Sequence, residues 1–247
     1  MDGLVLALFL LATFLGGLVS GLAGFAMGLV VSAMWLHILS PMQTATLIVG
    51  FGFVTQSYAI WTMRKALDWQ KLVPYVIGGA IGVPIGTILL TRIVDPAYLR
   101  PGCGLLLVVY SLYSLTRPAF KPVRLGVPAD FGIGIANGVM GGMTGLSGII
   151  VTIWCQLRGG PNDAQRAVFQ PVSLATIMLS AISLGMAGAI TADTVQLYLL
   201  GLPFMLAGVW AGLRWYGKLD EIAFRKVILL LLLASGFALI IPASILG

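Results

Sequence analysis

The sequence predicts an all-α polytopic membrane protein made of two inverted repeats, with six full spans and two glycine-rich re-entrant helical hairpins. Three observations predict it. Of the 247 residues, 59% are hydrophobic and only 9% are charged, where a soluble domain carries about 25%. Charge-free runs cover 3–63, 72–91, 101–116, 131–157, 167–192, 194–213 and 227–247. A membrane-crossing helix needs roughly 20 such residues, and no run alternates in the roughly ten-residue pattern of a membrane barrel strand. Finally, "GLVSGLAG" (17–24) and "GVMGGMTG" (138–145) carry glycine at the same relative positions, at an offset of 121.

A second match, "DPAYLR" (95–100) with "DEIAFR" (220–225) at an offset of 125, lies in the same order downstream. The duplication divides the chain into an N-terminal repeat (1–116), a basic linker (117–128) and a C-terminal repeat (129–247). Internal repeats of this kind are frequent in secondary transporters.

Segment one, about 4–36, would be about 50 Å long as a single helix, far more than the hydrocarbon core of about 30 Å. Tilt absorbs part of an excess; a hairpin with glycines at its tip absorbs all of it. Segment two opens at Gln43 and carries Gln56 well inside. Segment three, 72–91, contains Gly82-x3-Gly86, a small-residue face that suits a homodimer interface or internal packing. Segment four is entered through Asp95 and Arg100. The linker holds Arg117, Lys121 and Arg124 with Pro118, Pro122 and Pro128. Segment five, 129–157, would be about 44 Å long and is the second candidate hairpin. Segment six, about 164–187, begins with Arg166 and Gln170 on one helix face, followed by Pro171, which loosens a helix. Segment seven is 194–213, and segment eight follows Asp220 and Arg225. The six tryptophans mostly sit near segment ends, where interfacial anchoring is their expected role.

The 14 Lys and Arg residues separate the two topologies. Eight plain spans, the alternative, give the two sides 6 and 8. With segments one and five as hairpins, one side receives Arg64, Lys65, Lys71, Arg117, Lys121, Arg124, Arg158, Arg166, Arg214, Lys218, Arg225 and Lys226, and the other only Arg92 and Arg100. Twelve against two is the bias that cytoplasmic loops carry. Both termini then lie outside the cytoplasm, and the halves are inverted.

The same composition excludes several functions. The formal net charge of +6 comes from short loops between spans, so nucleic acid is not an expected partner. Cys103 and Cys155 lie in apolar segments and His37 has no partner motif, which argues against a disulfide framework or metal site. No cofactor is expected, and no phosphate-binding G-x4-G-K-[ST] occurs. No acidic residue lies centrally in a span, which removes a buried-carboxylate proton relay. No His/Asp/Glu constellation supports an intramembrane enzyme. The N-terminal "MDGLVLALFL" lacks the basic start of a signal peptide.

At a broken tip, free N–H groups at a half-helix N-terminus favour an anion. Gly21, Gly24, Gly142 and Gly145 let a substrate approach, and Thr144 and Ser147 add hydroxyls. Gln56, Asn137 and Gln170 add amides, although Asn137 could equally cap a helix or hold the hairpin. Arg166 stands at the cytoplasmic mouth, able to grip two oxygens of an oxyanion at once. Its repeat mate is Ala45.

The segments "GGLVSGLAGFAMGLVV" (16–31), "GVMGGMTGLSGIIV" (138–151), "NDAQRAVFQPVSLATI" (162–177) and "LPFMLAGVWAGLRWYGKLDEIAFRKVILLLLLASG" (202–236) resemble the sulfite exporter TauE/SafE family, also called toluene sulfonate uptake permeases. The resemblance covers nearly the whole chain. It implies a bacterial inner-membrane transporter, not an enzyme, for a small sulfur-containing anion such as sulfite, sulfoacetate or another organosulfonate, with export the expected direction. An anion channel and an uptake permease are the alternatives. Where the family pattern has small residues and a Thr-Ser pair after "RAV", this chain has Phe169, Gln170 and Pro171.

The charge count makes a direct prediction. In a background lacking Cys103 and Cys155, a cysteine placed at Asn162 should react with an impermeant maleimide from the cytoplasm, and one at Ala192 from outside. Labelling of Asn162→Cys from outside alone would mean that segment five spans.

Overall fold

The computed structural model describes residues 3–23, 27–63, 69–93, 96–116, 123 and 125–215, and near the C-terminus 229, 230, 233, 236, 237 and 240. Expectations placed on Gly24, on linker residues Arg117, Lys121 and Arg124, and on the 220–225 match lie outside the described residues. The described helices are α1 (Gly3–Ala23), α2 (Met27–Ile38), α3 (Pro41–Met63), α4 (Trp69–Ile88), α5 (Pro96–Thr116), α6 (Val127–Thr144), α7 (Ile149–Arg158), α8 (Asn162–Met186) and α9 (Ala192–Trp215). A π-helical turn, Leu89–Ile93, continues α4. No strand occurs among the described residues. The protein is an all-helical, multi-pass membrane protein. Gly3–Leu22, Trp69–Arg92, Ala164–Met186 and Ala192–Trp215 are each long and apolar enough to cross a bilayer.

The first and fifth apolar segments are each two helices: α1 and α2, then α6 and α7. With 10 residues, α7 is about 15 Å long, half of the roughly 30 Å hydrocarbon thickness.

Two compact units draw on both halves of the sequence, so they partition the chain differently from the repeats. One comprises Met1–Thr44, Val94–Ala119 and Gln196–Gly247, the other Ala45–Ile93 and Phe120–Val195. In the first unit α1 lies against α9. A Cβ on Gly17 would stand 2.3 Å from the Met205 carbonyl oxygen, and one on Gly21 2.4 Å from that of Val209. The ring of Phe9 on α1 stacks on Trp35 of α2 with centroids 5.1 Å apart.

In the second unit α4 and α6 meet along two glycine stripes, Gly78, Gly82 and Gly86 against Gly134, Gly138 and Gly142. A Cβ on Gly82 would fall 2.2 Å from the Ile135 carbonyl oxygen, one on Gly86 2.1 Å from that of Val139, and one on Gly142 2.3 Å from that of Val83. Lipid tails are as apolar as leucine, so helices in a membrane associate through this kind of close backbone packing. The Gly82-x3-Gly86 face is therefore spent on packing inside the unit. The other side of α4 presents Ile77, Ile81, Ile85 and Ile88 as exposed apolar surface, the face a bilayer would cover.

The tryptophans divide in the same way. Trp61, Trp69, Trp210 and Trp215 are exposed, as interfacial anchors are, whereas Trp35 and Trp154 are buried and join helices within their units.

This packing predicts that Gly82→Ala cannot be relieved by a rotamer change, because the clash is with backbone. It should cost about 1–3 kcal/mol, the usual range for overpacking, read as a lower thermal midpoint of the purified protein. Gly102→Ala, with nothing within 4 Å of its Cβ position, should leave the midpoint within about 0.5 kcal/mol. Equal midpoints would contradict the packing.

Candidate functional site

The second unit contains the break at Gly145–Gly148. Its backbone conformation starts with glycine: Gly145 has φ 75° and caps α6 by donating its N–H to the Gly141 carbonyl at 2.9 Å. A side chain there would be strained by that φ and would also meet the Ala45 carbonyl oxygen at 2.6 Å. Gly148, φ 113°, precedes α7. Every backbone N–H freed inside a membrane protein needs a partner, and the loop supplies several. The Thr144 hydroxyl donates to the Met140 carbonyl at 2.8 Å and accepts the Leu146 N–H at 3.2 Å. The Ser147 N–H donates to the Gly145 carbonyl at 2.8 Å.

A further bond comes from outside the loop. Gly148 donates its N–H to Oδ1 of Asn137 at 3.0 Å, and Nδ2 of Asn137 donates to Thr176 Oγ1 on α8 at 3.2 Å. Thr176 in turn donates to the Val172 carbonyl at 2.9 Å. Asn137 is fully buried, and both ends of its amide are engaged. The backbone donor fixes which end is oxygen. One amide thus ties the middle of α6 to the start of α7 and to α8.

At its other end the helix pair is closed by a polar clasp. Asp130 lies in the first turn of α6, where the helix dipole favours a carboxylate. Its Oδ1 accepts the Tyr75 hydroxyl at 2.6 Å and the Trp154 indole N–H at 2.8 Å. Its Oδ2 pairs with Arg158 Nη1 at 3.1 Å. Arg158 also donates to the Leu125 carbonyl and lies over the Trp154 ring, 5.3 Å from its centroid. The Val123 N–H donates to the Leu157 carbonyl at 2.9 Å. The start of α6 and the end of α7 are therefore side by side, and the two helices form a closed hairpin.

The sequence candidates fall into three groups. Gly142 packs against α4, Gly145 and Thr144 shape the turn, and Asn137 holds it, the hairpin-holding role that the sequence left open. Gly21 belongs to the other unit, against α9. Gln56 and Gln170 are buried, and the Oε1 of each has no hydrogen-bond partner; Ser147 Oγ makes only a long contact, 3.4 Å, to the Gly145 carbonyl. Arg166 is half-buried, one helical turn before Gln170.

Sequence reasoning missed two sets of residues. Tyr75, Asp130, Trp154 and Arg158 looked like ordinary segment-end residues because no local motif links them. Ser173, Thr176 and Ser180 are all buried on α8. With Arg166 and Gln170 they step along one helix face at spacings of three and four, a periodicity visible in the sequence once the helix is assigned.

Residues 9–239 match the family model described as sulfite exporter TauE/SafE. No curated protein and no solved structure gave a match.

The Asn137 bridge predicts the effect of its removal. Asn137→Ala leaves the buried Gly148 N–H unpaired, a cost of about 1–3 kcal/mol, and should lower the thermal midpoint accordingly. A midpoint equal to that of the unaltered protein would show that the hairpin does not depend on this bridge.

Proposed function

The chain belongs to the sulfite exporter TauE/SafE family, and from that premise we propose that it is a secondary transporter exporting sulfite, sulfoacetate or another small organosulfonate across the bacterial inner membrane. The observation that carries the reading is the α6–α7 hairpin: its two ends are clasped together by Asp130 and Arg158, and its turn is set among neutral hydrogen-bonding side chains. With the clasp at the membrane surface, α7 descends about 15 Å before the turn. A turn at that depth lies near the midplane, as in carriers whose broken helices hold the substrate there. The hairpin is then re-entrant, both ends of segment five are cytoplasmic, and the termini lie outside.

In this reading the substrate enters from the side of Arg166, passes Gln170 and reaches the turn at Gly145–Gly148. Ser147 and the first N–H groups of α7, which have no partner within their own helix, carry the positive end of the helix dipole and draw in the anion. Gln56 contributes from α3. Asn137, Gly142, Thr144 and Gly145 keep the turn in place rather than bind. An anion channel would use the same groups but pass current far above carrier rates, and an uptake permease would run the same cycle inward.

Flux of sulfite, sulfoacetate and taurine into proteoliposomes, with and without a pH gradient, tests the reading. Saturable counterflow supports a carrier; large unitary conductance would replace it with a channel. Arg166 supplies a sharper prediction. Arg166→Lys and Arg166→Gln should both weaken apparent anion affinity, Gln more than Lys, because an ammonium replaces the bidentate grip only in part, and the loss should be concentrated on the cytoplasmic face. Unchanged affinity in Arg166→Gln would leave Arg166 a topological role only.

A further inference from the structure

Helix α4 changes character along its length. A Cβ on Gly78 would stand 2.3 Å from the Phe131 carbonyl oxygen, and those on Gly82 and Gly86 would stand 2.2 Å and 2.1 Å from the carbonyl oxygens of Ile135 and Val139. Successive glycines of α4 thus meet successive turns of α6, and the two helices run side by side in the same direction. With backbones this close, neither helix can slide or roll without parting the pair. The spacing of four that sets Gly78, Gly82 and Gly86 on this face brings Leu90 next. Leu90 is buried, but its side chain cannot admit another backbone as glycine does. The locked stem of α4 ends there.

Regular α-helix ends at nearly the same point. Leu89–Ile93 is π-helical, and this turn meets α6. The Cβ position of Gly86 lies 2.9 Å from the Met143 nitrogen, so the π-turn comes just beyond it, level with the interruption at Gly145–Gly148. Such turns recur at functional sites and at helix kinks. The Thr91 hydroxyl donates back to the Thr87 carbonyl at 2.8 Å, a bond of the kind that bends helices. Thr87 is buried, and its Oγ1 has no hydrogen-bond partner. An unpaired buried hydroxyl costs free energy, which brings a second arrangement of the turn that pairs it closer in energy. Ile93 is also the last residue of its compact unit on this stretch of chain, and Val94 belongs to the other.

We propose that Leu89–Ile93 is a hinge: the outer end of α4 swings on it, carrying Arg92, while the stem from Gly78 to Gly86 stays fixed to the α6–α7 hairpin. The proposal rests on the transporter reading above and goes beyond it by assigning the moving part. Alternating access requires some element beside the site to move. The hairpin is held along α4 by the glycine stripes, at its ends by a clasp that includes Tyr75 of α4, and at its turn by Asn137. Opening the hairpin would break these contacts. Bending α4 at the π-turn breaks none of them, yet it changes what stands beside Gly145–Gly148 on the side away from the clasp. Thr91 is then a positioning residue, acting through the Thr87 carbonyl to weight the two arrangements.

The test places pairs of spin labels in the full-length chain, without Cys103 and Cys155, in lipid nanodiscs with and without saturating sulfoacetate. Ile85, Arg92 and Gly132 are exposed, and Gly132 has nothing within 4 Å of its Cβ position. The Ile85–Gly132 pair reports the stem and should give one narrow distance that sulfoacetate leaves unchanged. The Arg92–Gly132 pair reports the outer end and should give two distances whose proportions change with sulfoacetate. Thr91→Val keeps the shape and removes the hydroxyl. It should shift those proportions severalfold away from the arrangement described here and change the saturating rate of sulfoacetate counterflow, and Thr91→Ser should restore both. A single Arg92–Gly132 distance that neither sulfoacetate nor Thr91→Val alters would overturn the hinge. So would an Ile85–Gly132 distance that changes along with it. Counterflow in proteoliposomes of the same chain keeps the two readings apart: two Arg92–Gly132 distances without flux of sulfite, sulfoacetate or taurine would overturn the transporter reading and support the hinge.

Discussion

The amide of Asn137 is what allows a helix to stop inside this unit. A backbone in lipid cannot borrow water for its freed N–H and C=O groups, so an interrupted helix survives only where protein groups replace the lost bonds. Here the Asn137 oxygen takes the Gly148 N–H at 3.0 Å and its nitrogen reaches Thr176 at 3.2 Å. With that bridge in place the chain can turn back, α7 can be short, and α8 is drawn against the turn through its polar face. The glycine stripes of α4 and α6 then hold the longer arm of the hairpin at backbone contact. The Asp130–Arg158 clasp closes its ends.

The α1–α2 and α6–α7 helix pairs are joined by different chemistry. At the offset of 121 suggested by the matching glycines, Asp130 aligns with Phe9. Phe9 stacks on Trp35, while Asp130 accepts the indole N–H of Trp154. The counterpart of Asn137 is Gly16, whose Cβ position meets Val31 Cγ1 at 2.5 Å. Among the described contacts, α1 meets α2 through the Phe9–Trp35 stack, and α6 meets α7 through hydrogen bonds to Asp130 and Asn137. If the halves descend from one ancestral unit, polar chemistry was concentrated in the second, the half that also carries Arg166 where the first has Ala45.

Much of this was legible in the sequence, for physical reasons. Membrane helices reveal themselves because lipid tolerates so few charges, and the interruption at 145–148 follows from a segment too long for the bilayer with glycine in its middle. What individual glycines do was not legible. Gly142 and Gly145 are three residues apart in one motif, yet Gly142 accommodates the backbone of α4 and Gly145 a left-handed turn. Glycine has no side chain to reveal which neighbour it faces. The Gly82-x3-Gly86 face was ambiguous for the same reason. Asn137 and Asp130 acquire their roles from partners 11 to 55 residues away, and no local pattern encodes those. The hydroxyls of α8 were overlooked because serine and threonine in membrane helices usually bond to their own backbone, as Ser173 and Thr176 do; Ser180 departs from this.

The central claim is that α6 and α7 leave and return to the same face of the membrane. Spin labels at Gly126 and Gly160, in a background without Cys103 and Cys155, test it by pulsed electron–electron distance measurement in lipid nanodiscs. The closed hairpin predicts one short distance, compatible with the Asp130–Arg158 contact. A segment crossing as a continuous helix from 126 to 160 would separate the labels by about 51 Å, and a distance population of that length would contradict the account.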